Sequence, residues 1–285
     1  MNFIKMIIIS ISLTGIVAAV GLQALNFPAD AVTLATSGAG QGSPQALLVN
    51  PAAVGAANSA LIRLGWNDWL GSIDGNNLSF LWGQDRHHLL TVRTWDVDNL
   101  ELRGDIPNDE PDGTFQVQWL SGTYGTAFNL NSWTIGLQGR LNYGKLYEEE
   151  TNSFTLDMGV QRSLTEQLTA GASLQNLGFA NSDSLRQDLP LQMAGGVSWR
   201  EPWLNSELLL DGVYTEDHDL TMKAALAYSW QGLTFLGGMS RASDYSDISL
   251  GMVWQYYRLR VAYGLSLPEA DILGTPQYFE LGWLL

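Results

Sequence analysis

Phe154-Thr-Leu-Asp-Met-Gly-Val-Gln161 alternates without a break: Phe154, Leu156, Met158 and Val160 share one face, while Thr155, Asp157, Gly159 and Gln161 share the other. A period of two is the mark of a β-strand, whose successive side chains point to opposite sides. Ile135, Leu137, Leu141 and Tyr143 alternate in the same way with Thr134, Gln138, Arg140 and Asn142, and Phe279, Leu281, Trp283 and Leu285 alternate with Glu280, Gly282 and Leu284. From Ala60 to the last residue the chain breaks into such runs of about 9 to 12 residues, the length that crosses a bilayer as a tilted strand.

Fourteen strands are expected, at 61–69, 77–83, 88–95, 114–128, 133–143, 153–161, 168–176, 191–199, 206–214, 220–229, 233–240, 246–254, 257–265 and 278–284. The number is even, as a bacterial outer-membrane barrel requires, and the connections alternate in length as such a barrel's turns and loops do. Short ones include 129–132, 162–167, 230–232 and 255–256; the longest are 96–113, 144–152, 177–190 and 266–277. Acidic residues follow the division, with Asp96, Asp98, Glu101, Asp105, Asp109, Glu110 and Asp112 on one presumed outer loop and Glu148, Glu149 and Glu150 on the next. Trp69, Trp95, Trp133, Trp199, Trp230, Trp254 and Trp283 fall near strand ends, where an aromatic girdle is expected. The fold class read from these patterns is all-β: an antiparallel transmembrane β-barrel of about 14 strands, residues 61–285, with an N-terminal plug segment.

Composition agrees. Only 15% of the 285 residues are charged, against roughly 25% in an ordinary soluble domain. The 14 basic and 29 acidic residues leave a net charge of −15, which argues against nucleic acid as a partner. There is no cysteine, so disulfides, thiolate metal sites and cysteine nucleophiles are excluded, and three histidines leave metal chemistry little to work with.

Residues 1–24 read as a signal peptide: Lys5 precedes an apolar run from Met6 to Val20, with cleavage points near Ala19 or Ala24. The uncharged stretch to Ala29 is also long enough for an uncleaved anchor. Residues 25–60 lack strand alternation and are rich in small residues, in Thr36-Ser-Gly-Ala-Gly-Gln-Gly-Ser-Pro44 and Asn50-Pro-Ala-Ala-Val-Gly-Ala-Ala57. Small residues permit close packing against a barrel wall, so the segment is expected to fold as a plug or hatch; a disordered linker is the alternative.

Three motifs carry a resemblance. Asn50-Pro51-Ala52 after a Gly/Ala-rich stretch, Gln175-Asn176-Leu177-Gly178 followed by Pro190, and Val261-Ala-Tyr-Gly-Leu-Ser-Leu-Pro268 with Leu273-Gly274-Thr275 before a closing strand together resemble the PorV/PorQ family. Barrels of that family are similar to the fatty-acid transporter FadL. The chain departs from the family in reading Leu-Gly-Thr-Pro-Gln at 273–277 and in ending on Leu285 rather than an aromatic residue. The resemblance implies an outer-membrane protein that is a non-catalytic partner in protein export or surface attachment of the type IX secretion kind, contacting secretion-system or cargo proteins. The alternative it implies is a FadL-like transporter of a hydrophobic small molecule, with a kinked strand and an opening beside the plug.

Candidate chemistry is sparse. His218 lies between Asp217 and Asp219, and His87-His88 follow Asp85, but adjacent strand residues point oppositely and neither group has a visible third partner. Asp96 to Asp112 lacks the ligand spacing of a calcium loop. No catalytic residues, cofactor or metal ligands are expected. Membrane lipid is the expected surroundings of the barrel. Arg63, Arg93, Arg140 and Asp157 fall on polar strand faces and are expected inside the lumen, since a basic residue at the lipid midplane costs roughly 2–4 kcal/mol.

Overall fold

The computed structural model describes residues 25, 27–57, 59–69, 73–84, 86–102, 110–147, 149–182, 189–216, 218–243, 245–269 and 274–285. The expected signal peptide, Asp85, Asp217 and Leu273 lie outside them. Fourteen antiparallel strands close on themselves in sequence order: β1 (Leu61–Trp69), β2 (Ile73–Gly83), β3 (His87–Leu102), β4 (Gly113–Leu130), β5 (Trp133–Leu146), β6 (Glu149–Ser163), β7 (Leu168–Ser182), β8 (Gln192–Glu201), β9 (Ser206–Thr215), β10 (His218–Trp230), β11 (Leu233–Arg241), β12 (Ser246–Tyr256), β13 (Leu259–Pro268) and β14 (Gln277–Leu284). Closure comes from β1 pairing with β14, Leu61 opposite Leu284 through Asp68 opposite Gln277. A closed sheet leaves no unpaired edge, which is what a β-protein in hydrocarbon requires.

Polarity is inverted relative to a soluble protein. Along β1, Ile62, Leu64 and Trp66 face out and are exposed, while Arg63, Gly65 and Asn67 face in and are buried. On β6, Thr151, Ser153, Thr155, Asp157, Gly159 and Gln161 are all buried between outward Phe154, Leu156, Met158 and Val160. On the outer side of β4 the apolar run begins at Leu120 and ends at Leu130. Ten steps at roughly 3.3 Å, tilted about 40°, give a belt about 25 Å tall, the height of a lipid-facing band. Trp133, Trp199, Trp230, Trp254 and Trp283 stand exposed around the end that carries the tight turns.

Three sequence expectations need correction. The connection at 144–152 is not a long loop: β5 and β6 stay paired up to Leu146 opposite Glu149, so only residues 147–148 connect them, and Glu149 and Glu150 sit on a strand. Trp69 and Trp95 are not girdle residues but turn inward, where both meet Phe27. The turn expected at 255–256 falls instead at 257–258, where Tyr257 takes the left-handed backbone region at φ 51°.

Before the barrel, α1 (Ala31–Ala35) and a 3-10 helix, Pro51–Ala56, lie against inward-facing strand residues, the first on β11–β14 and the second on β3–β6. Asp30 caps α1 by accepting from the Thr33 N–H at 2.7 Å, and Asn50 caps the 3-10 helix by accepting from the Ala52 N–H at 3.0 Å. Small residues make the approach close. A Cβ at Gly171 would fall 1.8 Å from the Gln41 carbonyl oxygen, and one at Gly136 would fall 2.2 Å from the Pro51 carbonyl carbon.

Candidate functional site

The N-terminal segment is held inside by side chains that alternation turns inward. Arg63 Nη1 of β1 donates to Asp30 Oδ2 at 2.9 Å and lies 3.6 Å from Glu280 of β14, which in turn accepts the Ala31 N–H at 3.1 Å. Both acids and the arginine are essentially solvent-free. Asp211 of β9 accepts the Gly40 and Gln41 N–H groups at 2.6 and 2.9 Å. Asn50 donates to Gln41 O at 2.9 Å, Val160 O at 3.2 Å and Ala172 O at 3.3 Å, tying the segment to β6 and β7. Its neighbours Pro51 and Ala52 fill the space over Gly136 and Gly159.

A second cluster braces an irregular point in the wall. Between Leu156–Leu177 and Met158–Leu174 the register of β6 and β7 shifts, so Gln175 and Asn176 together oppose the single residue Asp157. This is a β-bulge, which bends its strand and frees a backbone donor. Asn176 takes φ 62°, tolerable for asparagine, and the Asp157 carboxylate accepts its N–H at 2.7 Å. Asp157 also accepts from Arg140 Nη2 at 2.7 Å and Gln138 Nε2 at 2.9 Å, while Arg140 Nη1 reaches Asn176 Oδ1 at 3.3 Å. Buried charges so paired and hydrogen-bonded are tolerated; an unpaired one is not. Leu177 beyond the bulge faces out, 45% exposed, and a Cβ at Gly178 would fall 1.9 Å from Phe154 O.

The bulge coincides with a seam in the otherwise closed barrel, where β7–β8 pairing stops short of the end of β7. β7 pairs with β8 only from Leu168–Trp199 to Gln175–Gln192, although β7 runs on to Ser182 alongside β6. Above that rung residues 176–182 have no paired partner on the β8 side among the described residues; the Asn176 side chain reaches across instead, donating to Pro190 O at 2.9 Å. Gln175, on the last paired rung, donates to Val49 O of the N-terminal segment at 2.5 Å. The structure thus brings Gln175, Asn176 and Pro190 together, 14 to 15 residues apart in sequence, at one seam.

Among the cavities that border the N-terminal segment, three matter here. One of about 250 Å³ opens at the loop end, lined by Phe27, Leu34, Trp69 and Tyr245. One of about 110 Å³ lies deeper, between the segment and the wall, lined by Phe27, Arg93, Arg140, Gln175, Gln192 and Lys223. The third, about 420 Å³, opens at the turn end below Arg63 and Arg260. Phe27 links the first two: its ring stacks on Trp69 at 5.1 Å and meets the edge of Trp95 at 5.3 Å. Above them β4 reverses its pattern, turning Phe115, Val117 and Trp119 inward and Thr114, Gln116 and Gln118 outward. An apolar inner wall therefore leads down to the aromatic cluster.

Arg63, Arg93, Arg140 and Asp157 all face the lumen, but in different roles: Arg63 holds the N-terminal segment, Arg140 and Asp157 brace the bulge, and Arg93 lines the inner cavity. Sequence reasoning did not single out Asp30, Asp211, Lys223, Glu280 or the Phe27 cluster. Asp211 and Glu280 carried a signal, each being an acid on the inward parity of its strand. His88 stacks on outward Tyr124 and shares a 2.9 Å hydrogen bond with it, while His87 points inward. Among the described residues no three metal-ligating side chains gather.

No protein-family model matches the chain, and no curated protein matches it in sequence. Among solved structures, that of the Pseudomonas putida toluene transporter TodX superposes with a TM-score of 0.66 at 11% identity, covering 90% of this chain and 96% of TodX. The monoaromatic hydrocarbon channel CymD superposes at 0.60 with 11% identity, covering 89% of this chain and 95% of its own. The barrel fold is shared with these channels. At such identity the likeness is one of architecture, spanning nearly the whole of each chain.

Proposed function

We propose that the protein is a non-catalytic outer-membrane channel of FadL-like type, passing a hydrophobic small molecule from the loop end into the barrel and out sideways between β7 and β8. The observation that carries this reading is the seam: β7 loses its partner halfway along, at the rung whose Gln175 and Gln192 line the inner cavity. Residues 25–60 would act as the plug, exported behind the signal peptide 1–24. Hydrogen bonds and ion pairs fix the segment across the lumen, so a straight path is obstructed and a lateral one is favoured. The apolar belt supports residence in lipid, and the toluene and hydrocarbon channels of the same fold support an apolar cargo.

Uptake of toluene into liposomes carrying the purified barrel tests the reading. Uptake above that of protein-free liposomes is expected. The PorV/PorQ-like role, a partner in protein export or surface attachment, has its three motifs in its favour. A stoichiometric protein co-purifying in mild detergent, with toluene uptake at background, would replace the channel reading with that one.

A further inference from the structure

The inner cavity is unusually cationic for a chain of net charge −15. Arg93, Arg140 and Lys223 all line it. Arg140 is paired with Asp157 at 2.7 Å. Asp211 opposes Lys223 on the neighbouring strand but spends one carboxylate oxygen on the Gly40 and Gln41 N–H groups. Arg93 is 5% exposed, and among the described residues neither it nor Lys223 makes an ion pair or a hydrogen bond. Lys223 stretches toward the N-terminal segment, where a Cβ on Gly38 would fall 2.6 Å from its Nζ.

A guanidinium withdrawn from water with nothing to answer it is costly, and burial is sustained when a counter-charge completes the site. No carboxylate of the wall reaches Arg93 at ion-pair distance; Asp157 and Asp30 act on it only from farther off, and both are already engaged by Arg140 and Arg63. The cavity is small: at roughly 10–15 Å³ of such space per water, about 110 Å³ holds on the order of eight to ten small groups. Phe27 forms its upper boundary and joins it to the Trp69 and Trp95 rings, a setting for a flat ring in offset or edge contact.

We propose, building on the channel reading, that the molecule carried is a compact aromatic anion, its negative group on Arg93 with Lys223 nearby and its ring against Phe27. A neutral hydrocarbon would leave Arg93 unanswered. A long flexible acid would satisfy it but would outgrow the inner cavity and lose the ring contact.

Binding to the full barrel in detergent, read by calorimetry, tests this with benzoate, benzyl alcohol, sodium chloride and palmitate as probes. Benzoate is expected to bind roughly ten- to a hundredfold more tightly than benzyl alcohol, the worth of a charge-assisted hydrogen bond. That comparison needs no variant. Arg93→Gln should remove the preference and Arg93→Lys should keep most of it. Equal affinity for benzoate and benzyl alcohol, competition by chloride alone at the same strength, or palmitate binding without benzoate binding would each overturn the proposal. Toluene and benzoate uptake into liposomes separates the two readings: toluene carried without any charge preference sinks the anion and leaves the channel, whereas neither solute carried sinks both.

Discussion

Asp157 shows how much one inward side chain can hold. It answers a guanidinium, a side-chain amide and the backbone N–H that the bulge sets free. Asp157→Asn should therefore destabilise the barrel by about 3–5 kcal/mol, since it strands Arg140 without a counter-charge. Thermal unfolding of the detergent-solubilised protein would register this, and a loss below about 1 kcal/mol would show the pair to be dispensable. Arg63 has a different reach. Arg63→Ala should strip Asp30 of its ion-pair partner and leave Glu280 with only the more distant Arg260, loosening the N-terminal segment and raising ion conductance in planar bilayers; unchanged conductance would mean the other anchors suffice. The inward placement of both arginines follows from alternation. Arg140 and Asp157 fall on the polar faces of neighbouring strands already in the sequence, but the partners of Arg63 were hidden, because Asp30 lies 33 residues and Glu280 217 residues from it.

At the scale of elements, lipid-facing strand was legible and strand beyond lipid was not. Leu120 to Leu130 alternates in the expected sense, apolar out, but Thr114 to Trp119 alternates in the opposite sense, apolar in. Water bathes the outer face there and the inner face borders the mouth. The same extension beyond the belt turned the expected loop at 144–152 into paired strand. The glycines report the fit of the N-terminal segment. Gly171→Leu should expel it, because even a Cβ would collide with the Gln41 carbonyl oxygen at 1.8 Å, whereas Gly122→Ala meets nothing within 4 Å and should be silent. Protease sensitivity of residues 25–57 in the two variants checks the contrast. Equal sensitivity would mean the segment does not rest on β7.

For the whole molecule, the inverted polarity governs stability. Leu226, outward at mid-strand and 52% exposed, should tolerate Leu226→Met, but Leu226→Arg should cost roughly 2–4 kcal/mol in lipid. Refolding equilibria in liposomes would reveal the difference, and an indifferent Leu226→Arg would contradict a lipid-facing β10. The same inversion made the strand count readable from sequence alone, since each strand carries one lipid face. The seam was not readable. Gln175-Asn176-Leu177-Gly178 stood out as a motif, yet nothing in local spacing says that β8 stops pairing at Gln192. Lateral passage at that seam is the central claim, and deleting Asn176 tests it most directly. The deletion removes the extra residue of the bulge, leaves Gln175 alone opposite Asp157 and lets β7 run straight beside β8. With folding verified by heat-modifiable mobility, toluene uptake into liposomes should fall to the protein-free rate; uptake unchanged from the parent barrel would contradict the lateral route.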